Sequence, residues 1–395
     1  MKYHIIFFNI IFLCFFYLTL SEDNSKNIPI LVQIVFRHGE RVPIKSYPND
    51  PYRNCSWGVP LGTLTKNGIQ QQENLGKELR KRYIENFKIV NSIYNSSEIQ
   101  VRSTYTNRTI ESAYANLRGF YNISDSKNIP ILTDFFGIPL PWTGGSSCPK
   151  YKKMLLDKKT SYETKFYQNN KNFLDILAKK AGFEKMLMNN VTTLYDTIYI
   201  QNKLKCPIPK WLTIKEFYTL KRLTNQIYRL QDGLSSFDFP EDVELIKINE
   251  GPLLKNIIDN FDIKEKILKK NLTIETLNDN KQLNSNFNDT ITYVIFSAHD
   301  YTLANLFAIM GNEDYINSNM LYFDFTAALF YELYINDKNE YEIKILFSER
   351  EGKNIIDITD KIRGCKRSKK CLYNDFKNGV NKRIPVNIKE ECDLK

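Results

Sequence analysis

Apolar residues fall into three patterns along this chain, and each predicts a different element. The run Ile28 to Phe36 (IPILVQIVF) is almost uninterrupted and rich in β-branched residues, which predicts a buried strand. Ile291 to Ser297 (ITYVIFS) repeats that texture as a second core strand, and Ile99 to Ser103 is a shorter third. Met320 to Leu333 and Tyr341 to Ser348 read as an antiparallel hairpin completing the sheet. After turn chemistry at Leu61 to Asn67, Gly68 to Phe87 carries apolar residues at helical spacing; Thr106 to Tyr121 and Tyr301 to Met310 also read as helices. From about Asp134 to Asp242 a Pro/Gly/Trp loop gives way to Lys- and Asn-rich amphipathic helices, including Ile214 to Leu230, which reads as an insertion.

The N-terminus departs from all three patterns. Lys2 precedes a nearly continuous apolar stretch from Ile5 to Leu20, and Ser21-Glu22-Asp23-Asn24 turns polar. That length is short for a bilayer span and fits a signal peptide over residues 1–21, with cleavage near Ser21 and secretion; a retained signal anchor is the rival reading, and a lysosomal or membrane-anchored form the alternative location. No later stretch reaches membrane length, so no stable span is expected once the signal is removed. Asn-x-Ser/Thr triplets at Asn54, Asn95, Asn107, Asn122, Asn190, Asn271 and Asn288 accord with a secreted glycoprotein. Cys14 leaves with the signal; Cys55, Cys148, Cys206, Cys365, Cys371 and Cys392 remain, an even set suited to disulfides in an oxidising compartment. No cysteine pair has metal-site spacing, so neither metal nor cofactor is expected. The net charge of +10 is spread over scattered lysines with short clusters such as Lys366 to Lys370, a solvated face rather than a nucleic-acid stripe.

Histidine is scarce: three in 395 residues, one of them, His4, inside the signal. The other two each follow a predicted core strand, His38 in Arg37-His38-Gly39-Glu40-Arg41-Val42-Pro43 and His299 in Ser297-Ala298-His299-Asp300. A third strand ends in Arg102. Ligands of open α/β sheets bind outside the carboxyl ends of the strands, so these groups can converge. Arg37, Arg41 and Arg102 would make a strongly positive pocket whose planar forks suit a tetrahedral oxyanion such as phosphate. His38 is a nitrogen nucleophile when neutral, and Asp300 a candidate general acid. Asp300 also reads as a helix N-cap before Thr302-Leu303. Phosphoryl transfer asks mainly for positioning and charge stabilisation, which this set supplies without a metal.

The Arg-His-Gly-x-Arg-x-Pro stretch and the later His-Asp pair resemble the acid phosphatase branch of the histidine phosphatase superfamily. Tyr47-Pro48-Asn49-Asp50-Pro51, Leu64-Thr65-Lys66-Asn67-Gly68, Arg80-Lys81-Arg82-Tyr83, Arg102-Ser103-Thr104 and Arg108-Thr109 resemble prostatic and lysosomal acid phosphatases in order and spacing. Weaker likeness at Pro139 to Trp142, Pro209 to Trp211 and Ser297 to Asp300 extends it over nearly the whole mature chain. The resemblance implies an α/β fold: a doubly wound mixed sheet with helices on both faces and a mostly helical cap at approximately 134–242, within one domain over 22–395. It implies His38 as the nucleophile that forms a phosphohistidine, and Arg37, Arg41, Arg102 and His299 as phosphate ligands. Asp300 would protonate the leaving alcohol and then activate water. It also implies phosphate monoester substrates and, for many members, a homodimer. By the same likeness Cys148 pairs with Cys392 and Cys365 with Cys371. The relatives' usual partner of Cys206 is missing near Asn317 to Leu321, and Cys55 stands as its substitute. Asn107 departs from the acidic residue usual there, and the region Lys150 to Asp242 matches poorly.

Two other readings stay open at this stage. One is a phytase-like inositol-phosphate phosphatase; that group often differs after the second histidine, so Asp300 favours the acid phosphatase reading. The other is a catalytically inactive secreted binding protein on the same fold, although no expected catalytic group is absent.

Overall fold

The computed structural model of the chain describes residues 28–53, 55, 57–133, 148–249, 251–270, 290–311, 323–366 and 368–393. The leader, the sequons at Asn54, Asn271 and Asn288, and the stretches 139–142 and 317–321 lie outside the described residues.

Strand β1 (Leu31–Arg37) is buried at all of its positions. Such a strand must satisfy both faces with apolar or hydrogen-bonded side chains, because helices cover both. Its parallel neighbours are β2 (Ile99–Ser103), β3 (Leu132–Thr133) and β4 (Tyr293–Ala298), with β4 directly beside it. On its other side β5 (Ala328–Ile335) runs antiparallel and pairs with β6 (Tyr341–Ser348) as a hairpin. Two short strands, β7 (Ile356–Asp357) and β8 (Cys371–Leu372), pair with β6. Among the described residues the order is β3-β2-β4-β1-β5-β6-β7, with β8 also beside β6, an eight-stranded mixed sheet. The expected hairpin strand began at Met320, but pairing starts only at Ala328, because residues 324–327 turn and Thr326 adopts a left-handed φ of 65°.

Alternation in β1 sorts the helices. Val32, Ile34 and Phe36 meet α1 (Lys66–Arg80) and α2 (Asn107–Tyr121). These two helices touch backbone to backbone: a Cβ on Gly76 would stand 2.0 Å from the Asn116 carbonyl oxygen, and one on Gly119 2.0 Å from that of Glu73. The helix expected to run on to Phe87 widens into a π-type turn at Lys81–Asn86. Next come α3 (Pro149–Ala181), α4 (Met188–Lys203) and α5 (Ile214–Gln231), which gather an apolar core of their own around Phe166, Leu194 and Leu223. A full capping box at Thr213 and Glu216 starts α5. The opposite face of the sheet, with Leu31 and Val35, packs on α6 (Val243–Asn249), α7 (Gly251–Lys270), α8 (Asp300–Met310) and α9 (Tyr373–Val380). No helix among the described residues is long and apolar enough to cross a membrane.

Three disulfides cross-link the structure. Cys55–Cys206 joins the β1–α1 connection to the segment after α4, Cys148–Cys392 joins the start of α3 to the C-terminal segment, and Cys365–Cys371 closes a small loop before β8.

One charge lies in the middle of the sheet. Glu332 of β5 is fully buried, with Arg82 Nε and Nη2 donating to its two oxygens at 2.8 and 3.0 Å. The Tyr83 and Tyr334 hydroxyls donate to it at 2.6 Å each. A buried carboxylate is tolerable only when so fully satisfied. Glu332→Ala should therefore cost toward the lower end of about 3–5 kcal/mol, since Arg82 keeps some contact with water. Glu332→Gln should cost less. Equilibrium denaturation of both variants checks this, and a loss below about 1 kcal/mol for the alanine variant would show the network to be unimportant.

Candidate active site

The carboxyl ends of β1 and β4 deliver the two histidines side by side. His38 follows β1 and His299 follows β4, which are parallel neighbours in register at Arg37 and Ala298. Their ring centroids are 5.6 Å apart at an interplanar angle of 75°, and each residue is only 2% exposed.

The segment carrying His38 is fixed along its backbone. The Arg37 and His38 amides donate to the carbonyls of Ala327 and Ala298 at 2.9 and 3.0 Å. The Arg37 carbonyl accepts from Gln72 Nε2, the Gly39 amide donates to Ser112 Oγ, and the Glu40 amide donates to Gln71 Oε1. A Cβ on Gly39 would stand 2.1 Å from the Gly68 carbonyl oxygen, so only glycine lets this turn seat against the start of α1. There Thr65 caps the helix, its hydroxyl accepting from the Gly68 amide.

Within that cradle His38 Nδ1 lies 2.8 Å from the carbonyl oxygen of Gly39. A carbonyl can only accept, so Nδ1 carries the proton and Nε2 keeps its lone pair. Burial holds the imidazole well below its ordinary value of 6.5, and Arg37, Arg108, His299 and Arg41 push it the same way. His299 is depressed likewise, first by burial and then by Arg108, Arg37 and Arg41. Its Nε2 is 2.9 Å from Thr104 Oγ1, and Arg108 Nη2 approaches its Nδ1 at 3.4 Å. Arginine can only donate, so the His299 proton sits on Nε2. Tyr301 stacks on the ring at 4.8 Å.

A cavity of about 220 Å³ opens over these rings. Its described lining includes His38, Arg41, Arg108, His299 and Asp300, together with Lys45 and Asp196. Asp300 is not the N-cap of α8: His299 holds that position, and Asp300 is the first helical residue. The Asp300 Oδ1 accepts from the Tyr301 amide at 2.9 Å, and Oδ2 is 2.8 Å from Arg37 Nη2. Here the carboxylate sits where the helix dipole favours negative charge.

Of the expected phosphate ligands, Arg37 stands behind the described cavity lining and Arg102 faces away from it. Arg37 is completely buried and is not part of the cavity lining; besides Asp300 it reaches the Phe323 carbonyl and lies 4.2 Å from the Phe325 ring centre. Arg102 is not brought to the cavity. Ile99 and Val101 face α1 and α2, so alternation turns Arg102 to the opposite face, where Nη1 donates to Asn256 Oδ1 of α7 at 3.1 Å. The arginine that does line the cavity is Arg108, in the first turn of α2. It lies in the quoted Arg108-Thr109 pair, and strand parity at Arg102 was the signal that could have found it. Burial, then Arg41, pulls the Arg108 guanidinium below its ordinary value, with Tyr301 and Asp300 only partly offsetting them.

With the geometry in place, comparison with known proteins gives the class. Residues 30–348 match the histidine phosphatase superfamily (branch 2), and the chain belongs to that family. Among its relatives, lysosomal acid phosphatase of Homo sapiens is 28% identical over 382 residues, covering 92% of this chain and 80% of that protein. Prostatic acid phosphatase of Rattus norvegicus is 26% identical over 396 residues, covering 96% and 93%. The phytase of Citrobacter braakii has a similar fold, with a TM-score of 0.62 at 18% identity over 92% of this chain and 99% of that one.

Two outcomes follow from this site. Arg108→Ala should raise the inhibition constant of inorganic phosphate by about tenfold or more, the loss of a charged hydrogen bond of about 1.5–3 kcal/mol. Arg102→Ala should change it far less; the reverse ranking would return Arg102 to the site. The second concerns acid. Because the native pKa values of both histidines are depressed, their contribution to stability is complete above the unfolded value of about 6.5. It is lost as pH falls from there through the native values. The denaturation midpoint should therefore fall on acidification below about 6.5, less steeply in His38→Asn, and an unchanged slope in that variant would contradict the assignment.

Proposed function

We propose that the chain is an acid phosphatase that hydrolyses phosphate monoesters through a phosphohistidine on His38. The observation carrying this reading is the pinned imidazole: Nδ1 is tied to the Gly39 carbonyl, leaving Nε2 beside the cavity, and burial and four cationic or imidazole neighbours lower its pKa. A protonated imidazole cannot attack, and a lowered pKa extends the range of acid over which the lone pair stays available.

In the first step Nε2 of His38 attacks phosphorus while the bond to the leaving alcohol breaks. Arg41 and Arg108 bind the oxygens of the transferring group, His299, expected as a further ligand, instead accepts from Arg108 at Nδ1, and Asp300 gives its proton to the departing oxygen. In the second step the Asp300 carboxylate takes a proton from water. The water oxygen attacks phosphorus, the N–P bond breaks, and phosphate leaves. Arg37 acts from behind, holding Asp300 at the site. The helices α3 to α5 serve as the cap that closes the cavity, supplying Thr192, Thr193, Asp196, Thr197 and Tyr228 to its wall. A signal-like leader, an even set of cysteines and three disulfides support secretion into an oxidising compartment.

Rapid-quench measurement of phosphoenzyme tests the scheme. Wild type should form an acid-labile, alkali-stable adduct, and His38→Ala should form none; residual turnover near a tenth of wild type would remove His38 as nucleophile. Asp300→Asn should slow adduct formation from an alkyl phosphate about 10²–10⁴-fold. From p-nitrophenyl phosphate the loss should be much smaller, because that phenolate leaves without a proton. Equal losses for the two substrates would mean that Asp300 is not the donor.

A further inference from the structure

Arg41 does not wait for its ligand alone. Its Nη2 and Nη1 donate to Oδ1 and Oδ2 of Asp196 at 2.8 and 3.3 Å, and Nη1 also reaches the Val42 carbonyl at 3.3 Å. Asp196 comes from α4, across the cavity from the sheet, and both side chains are mostly buried, at 5% and 14% exposure. From the same helix the cavity receives only the neutral Thr192, Thr193 and Thr197. Beyond the groups assigned to one phosphoryl group, Lys45 is the one cation in the described lining.

From this arrangement we infer that Asp196 determines substrate choice: its carboxylate sets the Arg41 fork and puts a fixed negative charge on the leaving-group side. The site thereby favours esters with one phosphoryl group and a neutral or cationic alcohol over those carrying further phosphates beside the scissile one. This rests on the phosphatase reading above. The physical reason is charge balance. One dianion is matched by the guanidinium charges of Arg41 and Arg108. A second would face Asp196 across a cavity whose protein walls screen poorly, with Lys45 as the one further cation in the described lining. The group acts on specificity through charge and through Arg41, not by touching the reacting atoms.

The test compares kcat/KM for phytate and for O-phosphoethanolamine, each divided by kcat/KM for p-nitrophenyl phosphate. In Asp196→Asn the phytate ratio should rise by about tenfold, mostly through KM, equivalent to about 1.4 kcal/mol, and the phosphoethanolamine ratio should fall. A residue that only braced Arg41 would lower all three substrates together and leave both ratios unchanged; that result overturns the inference. Thr192, half-exposed on the same helix, gives an independent pair should Asp196→Asn not fold. Thr192→Lys should raise the phytate ratio and Thr192→Asp lower it, and no divergence between them also overturns it. A wild-type protein inert on p-nitrophenyl phosphate would instead sink the phosphatase reading itself, and the selectivity with it.

Discussion

Everything at this site depends on keeping one imidazole neutral while surrounding it with positive charge. A histidine in water would be half protonated near pH 6.5 and useless as a nucleophile in acid. Here burial acts first and Arg37, Arg108, His299 and Arg41 add to it, together pushing the His38 imidazole well below its ordinary value. The Gly39 carbonyl then decides which nitrogen keeps the remaining proton. That carbonyl is in place only because the turn after β1 can lie against Gly68, where any side chain on Gly39 would collide. Electrostatics and backbone packing are thus one constraint: the close approach fixes the tautomer, and the buried charges fix the protonation state.

Arginine crowding has a cost, and the structure offsets it with two carboxylates rather than with solvent. Arg37 is matched by Asp300 and Arg41 by Asp196, each at 2.8 Å. Both carboxylates lie on helices that do not carry their partners, α8 and α4, so charge compensation also ties the sheet to the helices over it. Arg108 has a different surrounding. It borders His299 and Arg41, and burial first, then Arg41, lowers its pKa although Tyr301 and Asp300 oppose the change. An entering phosphate dianion would find its strongest attraction there.

Much of the frame was legible in the chain because it depends on local rules. Uninterrupted apolar runs forecast β1 and β4, and the residues just past them, His38 and His299, do meet in space. The turn chemistry before α1 resolved into a Thr65 cap. Parity was harder to read. Arg102 ends a core strand just as Arg37 does, and its position in sequence suggests the strand ends' common mouth. A strand turns successive side chains to opposite faces, and Ile99 and Val101, by taking the α1–α2 face, commit Arg102 to the α7 side. Arg108 sits on a helix start, where a cation opposes the dipole, and pattern alone gives it no prominence.

Asp196 could not have been read from sequence at all. It lies 155 residues beyond Arg41, in a helix whose amphipathic pattern explains Leu194, Tyr195 and Ile198 as core and leaves the aspartate as one more polar position. Only the docking of α4 over the sheet turns it toward the cavity. The reactive groups come from the ends of sheet strands and from α2, where geometry is stiff. The wall that meets the remainder of a substrate comes largely from α4 and α5, which have their own core. Side chains there can change without disturbing the tautomer of His38, since no hydrogen bond to the segment Arg37–Glu40 described above comes from α3, α4 or α5. Arg41 is the exception. It belongs to the motif after β1 yet is paired with Asp196 of α4, and through it the helical layer reaches the cavity beside His38.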